Sequence, residues 1–121
     1  IYFFLATILG LIMLVWPSQG WVYLPSHVHL NLLGWISMLI YGVGYHILPR
    51  FSGRPIYNET LMVVQFWLAN LGLVGMAVFW TFYRLKAYGI FQDMLLVAAT
   101  AEALAIFLFV YNIIRTVKAA G

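Results

Sequence analysis

Apolar residues fill this chain in four long blocks, and the short stretches between them collect the prolines, four of the six basic residues and several tyrosines. A helix that crosses the hydrocarbon core of a bilayer needs about 20 mostly apolar residues. The pattern predicts helices over about 1–16, 27–48, 58–83 and 92–114. Pro17 stops the first, Ser26 N-caps the second behind Pro25, and Pro49 ends it. Asn58-Glu59 suits a capped, acidic first turn for the third. The linkers Pro17–Pro25, Pro49–Tyr57 and Arg84–Phe91 are short, which makes consecutive helices antiparallel neighbours. The expected fold class is all-α, a single integral membrane four-helix bundle over residues 1–121 running up-down-up-down.

Composition sharpens this. Of 121 residues, 65% are hydrophobic and 7% are charged, against roughly a quarter charged in a soluble domain. Lipid must therefore be the solvent. The chain has no cysteine, which excludes disulfides, iron–sulfur clusters and thiolate metal sites. The net charge of +3 comes from six basic residues and reports topology, so no nucleic-acid partner is expected. Arg50, Arg54, Arg115 and Lys118 fall on one side and Arg84 and Lys86 on the other, which places the Arg50 side and the C-terminus in the cytoplasm. Ile1 opens inside an apolar run without an initiating Met, as expected where a short N-terminal piece precedes it. Trp16-Pro17-Ser18-Gln19-Gly20 lacks the small-residue cleavage pattern of a signal peptide, so the first run reads as a retained helix.

The candidate chemistry is concentrated in one helix. His27, His29 and His46 are the only histidines. Residues two apart on a helix point about 200° from each other. His27 and His29 thus cannot grip one ion together, but each can face its own flat cofactor. A zinc site would need three- or four-residue spacing or further ligands nearby. Haem suits the geometry, since its iron takes a neutral imidazole in an apolar pocket. On spacing alone a second reading stands level with it: partly hydrated histidines at a helix start. His46 is read as an interfacial residue near Arg50 before a metal ligand. Glu102 sits in the middle of the fourth helix, where a carboxylate is expensive. It is read equally as a proton-handling group or as a polar lock between helices. Asn31, Asn70 and Asn112 read as inter-helix hydrogen-bonding groups, and Trp35 and Tyr45 pack on a porphyrin edge or on other aromatic residues.

The stretch from His27-Val-His-Leu-Asn-Leu-Leu-Gly-Trp35 to Tyr45-His-Ile-Leu-Pro-Arg50 resembles the tenth helix of haem–copper oxidase subunit I. It is most similar to the C-family (cbb-type) cytochrome c oxidases and the nitric oxide reductases. Gly53-Arg54, Tyr57, Phe66-Trp67-Leu68-Ala69-Asn70-Leu71-Gly72, Tyr111-Asn112 and Arg115-Thr116 continue the likeness. The resemblance implies a four-helix relative of that subunit's last quarter. It implies His27 as axial ligand of the high-spin haem b and His29 as one axial ligand of the low-spin haem b. Arg84 would lie near the propionates on the outer side, and Trp35 against the porphyrin. The copper-binding histidines and the second low-spin ligand come from earlier helices in that family, so copper is not expected with this chain alone. Gln65 stands where relatives generally have His, and His46 where the oxidases usually have Tyr.

His46 lies 17 residues from His29, about 25 Å along a helix, and cannot reach the same iron. A second ligand would come from another copy of the chain, another subunit, or one of Met38, Met62, Met76 and Met94. A symmetric homodimer is the preferred expectation. The resulting expectation is a respiratory b-type haem protein of a bacterial or archaeal inner membrane, with His27 and His29 near the outer face. It would transfer electrons or bind O2 or NO, with a cytochrome or quinol as redox partner; catalysis, if any, would be that of an oxidoreductase. Two alternatives stay open: a haem-free structural or assembly subunit, and a small proton-coupled transporter using Glu102.

Overall fold

A computed structural model describes residues 1–118. Among these the chain is all helix and turn, with four helical rods: α1 (Tyr2–Val15), α2 (Pro17–Ser52), α3 (Glu59–Lys86) and α4 (Gly89–Lys118). The last three are long and apolar enough to cross a membrane, while α1 is a shorter apolar helix. The architecture is an all-α membrane bundle, as the four apolar blocks predict.

Antiparallel order is visible in the pairings. Tyr2 packs on Gly34 and Gly10 on His27, so α1 runs against α2. Ser26 reaches Ala77 and Thr81, while Tyr41 meets Ala69 further along, so α2 runs against α3. Asn58 meets Asn112 and Gly72 meets Glu102, so α3 runs against α4. The α3–α4 pair forms the centre, with α2 laid across it and α1 outside α2. Two small cores result. Ala6, Leu30 and Leu73 join α1, α2 and α3, and Tyr41, Ala69 and Ala105 join α2, α3 and α4.

The helix ends depart from the sequence expectation at several points. The second helix begins at Pro17, ten residues before His27, and only Trp16 separates it from α1. Pro17 suits the first position of a helix, where an amide hydrogen would be unpaired in any case. Ser26 is not an N-cap. It is buried inside the rod, where its hydroxyl donates to the Ala77 carbonyl at 2.7 Å and lies 2.9 Å from Thr81 Oγ1. Pro25 and Pro49 are both internal to helix. Membrane helices tolerate proline because neighbouring groups satisfy the freed carbonyls. The rod ends instead at Gly53, whose φ of 66° is the left-handed conformation that glycine adopts without penalty. Asn58 caps α3 as expected, accepting from the Leu61 amide at 2.9 Å. Beyond the expected ends, α3 continues to Lys86 and α4 spans Gly89–Lys118.

Within α2, residues Leu30–Ser37 form a π-helix. The Ser37 hydroxyl donates to the carbonyl of Leu32, five residues back, at 2.8 Å. Such wide turns are rare and occur often at functional sites. Gly34, in this segment, is where Tyr2 packs closest: a Cβ there would stand 2.7 Å from the Tyr2 Cβ.

Close helix approach depends on missing side chains. A Cβ at Gly72 would lie 2.8 Å from the Glu102 amide nitrogen and 3.0 Å from the Ala98 carbonyl. Gly72→Val therefore forces α3 and α4 apart and should cost about 1–3 kcal/mol, read as a lower unfolding midpoint in micelles. Gly42 has open space where a Cβ would go. Gly42→Ala should be neutral or stabilising, by no more than about 1 kcal/mol. Equal loss in both variants would contradict this packing.

Candidate functional site

His27 and His29 sit in the last turns of the α-helical part of α2 (Gly20–His29), immediately before the π segment. Regular α geometry at that point turns the two rings to opposing sides of the rod. His27 faces α1, where Gly10 makes room for it: a Cβ on Gly10 would be 3.1 Å from the His27 Cε1. His29 faces α3, with its ring centroid 5.0 Å from that of Trp80 at a 36° tilt.

Both rings are pinned through the same nitrogen. His27 Nδ1 lies 2.8 Å from the Ala6 carbonyl oxygen, and His29 Nδ1 lies 2.7 Å from that of Pro25. A carbonyl only accepts, so each Nδ1 carries a proton, and in the neutral ring Nε2 keeps the lone pair. Metal-ligating histidines are held this way, the second nitrogen fixing tautomer and orientation. The Nε2 of His27 has a long 3.4 Å approach from the Asn31 amide, whose firmer bond runs to the His27 carbonyl at 2.9 Å. Trp35 extends this chain, donating to Asn31 Oδ1 at 3.3 Å and packing on Phe3 at 4.9 Å. Neutral imidazole is the donor type that haem iron takes, and one ring stands on each side of α2, His27 against α1 and His29 against Trp80 of α3.

The other sequence candidates lie elsewhere. His46 is exposed near the far end of α2, and its Nε2 accepts a hydrogen bond from the Arg50 guanidinium at 2.6 Å. Arg84 is exposed at the end of α3, its guanidinium 5.6 Å from the centre of the Trp21 ring. That places it at the end of the bundle where α2 begins, the end nearer both imidazoles. Glu102 is 3% exposed, pressed against Gly72, and neither carboxylate oxygen has a partner. Asn112 and Thr116, both buried in α4, clip the turn ahead of α3. Asn112 Oδ1 accepts from the Asn58 amide at 3.1 Å and its Nδ2 donates to the Asn58 carbonyl at 2.8 Å. Thr116 Oγ1 accepts from the Tyr57 amide at 3.0 Å. Asn70 Oδ1 accepts from the Tyr2 hydroxyl at 2.6 Å.

Sequence reasoning missed the groups that hold the imidazoles. The carbonyl of Ala6 gives no side-chain signal, although a small residue at Gly10 within an apolar run marks a close approach. The carbonyl of Pro25 stands four residues before His29, a spacing that was available to find it.

A polytopic membrane protein with an opposed pair of anchored imidazoles on one helix is the class defined so far. The family model for cytochrome c and quinol oxidase polypeptide I matches residues 1–120, and the chain belongs to that family. A cbb3-type cytochrome c oxidase subunit, CcoN1, from Stutzerimonas stutzeri is 40% identical over 50 residues, covering 40% of this chain and 10% of that protein. A cytochrome c oxidase subunit 1 homolog from Agrobacterium tumefaciens (strain T37) is 42% identical over 57 residues, 46% of this chain and 11% of that protein. Cytochrome c oxidase subunit 1 of Rhodobacter capsulatus is 43% identical over 50 residues, 40% of this chain and 9% of that protein. The chain thus matches about a tenth of the length of these curated relatives. No solved structure matches it.

The pinned tautomers are directly observable. Nitrogen-15 spectra of the haem-free protein should show the neutral form of His27 and His29 as the Nδ1-protonated tautomer. Protonation at Nε2 in both would contradict the hydrogen bonds to Ala6 and Pro25.

Proposed function

We propose that this chain provides the two-ligand helix of a membrane b-type haem protein, with His27 axial to a high-spin haem and His29 axial to a low-spin haem. The observation that carries the reading is the paired anchoring of Nδ1, which turns the Nε2 atoms to opposing faces, that of His27 with only a long 3.4 Å approach from Asn31. Depth adds support. With α2 extending ten residues ahead of His27, both histidines lie about 10 Å from the middle of the rod, inside a hydrocarbon core about 30 Å thick. A position ten residues inside the rod favours this over hydrated helix-start residues, and an intramembrane ionisable group carries a functional default.

Haem bound to these rings supplies electron transfer and, at an open iron position, binding or reduction of O2 or NO. The protein's own part is to fix each ring, hold a low-dielectric surround and compensate the propionates. Arg84 is the propionate partner in this reading, since a guanidinium pairs two carboxylate oxygens at once. Trp35, held by Asn31, packs on the porphyrin beside His27. His46 serves the interface with Arg50 rather than iron. A second copy of the chain supplies the missing low-spin ligand. The bundle lies in an inner membrane with the histidines toward the outer face, and a cytochrome or quinol is the redox partner.

His29→Ala should abolish the six-coordinate low-spin absorption and spin-resonance signals while leaving a high-spin haem that still binds CO. An unchanged low-spin spectrum in that variant rejects the assignment.

Glu102 supports an added role in proton handling, on the observation that both its oxygens are buried without partners. A polar lock would have used them. Glu102→Gln keeps the shape and removes the exchangeable acid. Proton uptake that accompanies haem reduction should fall by about one proton per chain in this variant, with the haem spectrum unchanged. Uptake equal to the parent's would leave Glu102 a packing residue.

A further inference from the structure

The turn that joins α2 to α3 is tied down on both sides. Just past Gly53, the Arg54 amide donates back to the Pro49 carbonyl at 3.0 Å. Ahead of α3, the Tyr57 amide donates to Thr116 Oγ1 and the Asn58 amide to Asn112 Oδ1, both near the end of α4. These clips bring Arg54 of the turn and Arg115 of α4 to one open hollow of about 220 Å³, walled by Pro55, Ile56, Tyr57 and Thr116. The Arg115 guanidinium lies 4.7 Å from the centre of the Tyr57 ring. Nη1 of Arg54 is buried and has no hydrogen-bond partner among the described residues.

Buried polar groups are almost always paired, and an exception calls for an explanation such as an unseen ion. Guanidinium groups stay charged, so two at one hollow repel each other and favour an anion between them. The chain's own carboxylates do not meet the need at Arg54. Asp93 lies near the start of α4 and Glu102 in its middle, and Glu59, at the start of α3, leaves Arg54 Nη1 unpaired. The Thr116 hydroxyl is already occupied, accepting from Tyr57 and donating to the Asn112 carbonyl at 2.8 Å. A water molecule would satisfy Nη1 and leave the two charges uncompensated. A phosphate group does both, because guanidinium forks match its oxygens in pairs.

The surroundings indicate the source of that phosphate. The hollow stands at the end of three rods long enough to cross a membrane, the level at which lipid headgroups lie. Arg50, Arg54, Arg115 and Lys118 all belong to this end, and basic clusters there attract anionic lipid. Tyr111 and Phe107, four and eight residues before Arg115 on nearly the same side of α4, are 49% and 71% exposed. An acyl chain can therefore run along α4 from a phosphate held at Arg115.

We infer that the Arg54–Arg115 hollow binds the phosphate of an anionic phospholipid, with the lipid's acyl chains against Tyr111 and Phe107. A zwitterionic headgroup brings a cation toward the same two guanidiniums and binds less well. The imidazoles lie nearer the other end of α2, and this site does not rest on the haem reading.

The test is native mass spectrometry of the purified protein in dodecyl maltoside, titrated with dioleoylphosphatidylglycerol. Dioleoylphosphatidylcholine is the zwitterionic control and inorganic phosphate the competitor. One phosphatidylglycerol held per chain is expected, in preference to phosphatidylcholine and against excess inorganic phosphate. Arg54→Gln and Arg115→Gln should each weaken it about tenfold, the effect of losing hydrogen bonds to a charged group. Arg54→Lys keeps the charge without the fork and should fall between parent and Arg54→Gln. Arg50→Gln removes the same charge at the same end, from a separate hollow with Ile47 and Phe51, and should leave affinity near the parent's. Where Arg54→Gln fails to fold, Arg115→Gln, a change at an exposed side chain, decides. Equal affinity for the two lipids, parent affinity in Arg115→Gln, or an equal loss in Arg50→Gln overturns the proposal. Displacement by inorganic phosphate makes the hollow a site for the free ion and overturns the lipid assignment.

Discussion

Two residues separated by one on an α-helix cannot face the same way, and the rest of this structure is arranged around that constraint. His27 and His29 occupy the two flanks of one rod, so each must be satisfied by a different neighbour. On one flank the neighbour is α1, whose Ala6 carbonyl accepts a hydrogen bond from His27 Nδ1 and whose Gly10 admits the ring. On the other it is the rod's own Pro25 carbonyl, with Trp80 of α3 against the ring. The regular α geometry ends immediately afterwards, where the π segment re-aims the remainder of α2. The imidazoles and the residues from Met38 onward therefore stand on either side of a differently wound stretch of one helix.

Lipid as solvent explains which polar residues the chain keeps inside. Ser26, Asn112 and Thr116 are buried and each is paired, to carbonyls and amides of the neighbouring helix or turn. They act as clips that set where α2 crosses α3 and where α3 begins. Glu102, Gln65 and Tyr45 break this pattern, each with an unpaired buried atom. An unpaired buried group costs about 1–3 kcal/mol, more if charged, so these three, with Arg54 Nη1 in the turn before α3, are expensive to keep in so small a bundle. At Glu102 a transferable proton would offset part of that cost.

Much of the bundle was legible in the sequence, because a run of about 20 apolar residues has one stable fate in a bilayer. The four blocks, the Asn58 cap and the helix that carries all three histidines were readable in this way. The errors gathered at proline. Pro25 and Pro49 read as boundaries on the soluble-protein rule that proline ends a helix, whereas α2 runs through both. That misreading turned Ser26 into a cap and set His27 at a helix start, near water, rather than ten residues inside the rod. The opposed facing of the two imidazoles was legible from spacing alone. What holds them was not, since backbone carbonyls leave no residue-type signature and the Ala6 partner comes from a separate helix. The π segment was equally hidden, as Leu30–Ser37 has ordinary helix-forming composition.

Membership of the oxidase polypeptide I family and the anchored imidazoles point the same way, and the central claim is that iron porphyrin meets both Nε2 atoms. The most direct measurement is the absorption spectrum of the purified protein, oxidised and then reduced, with and without CO. A strong Soret band, sharpened bands on reduction and a partial shift with CO, from one closed and one open haem, are the predicted result. A colourless protein after expression with ample haem would contradict the account.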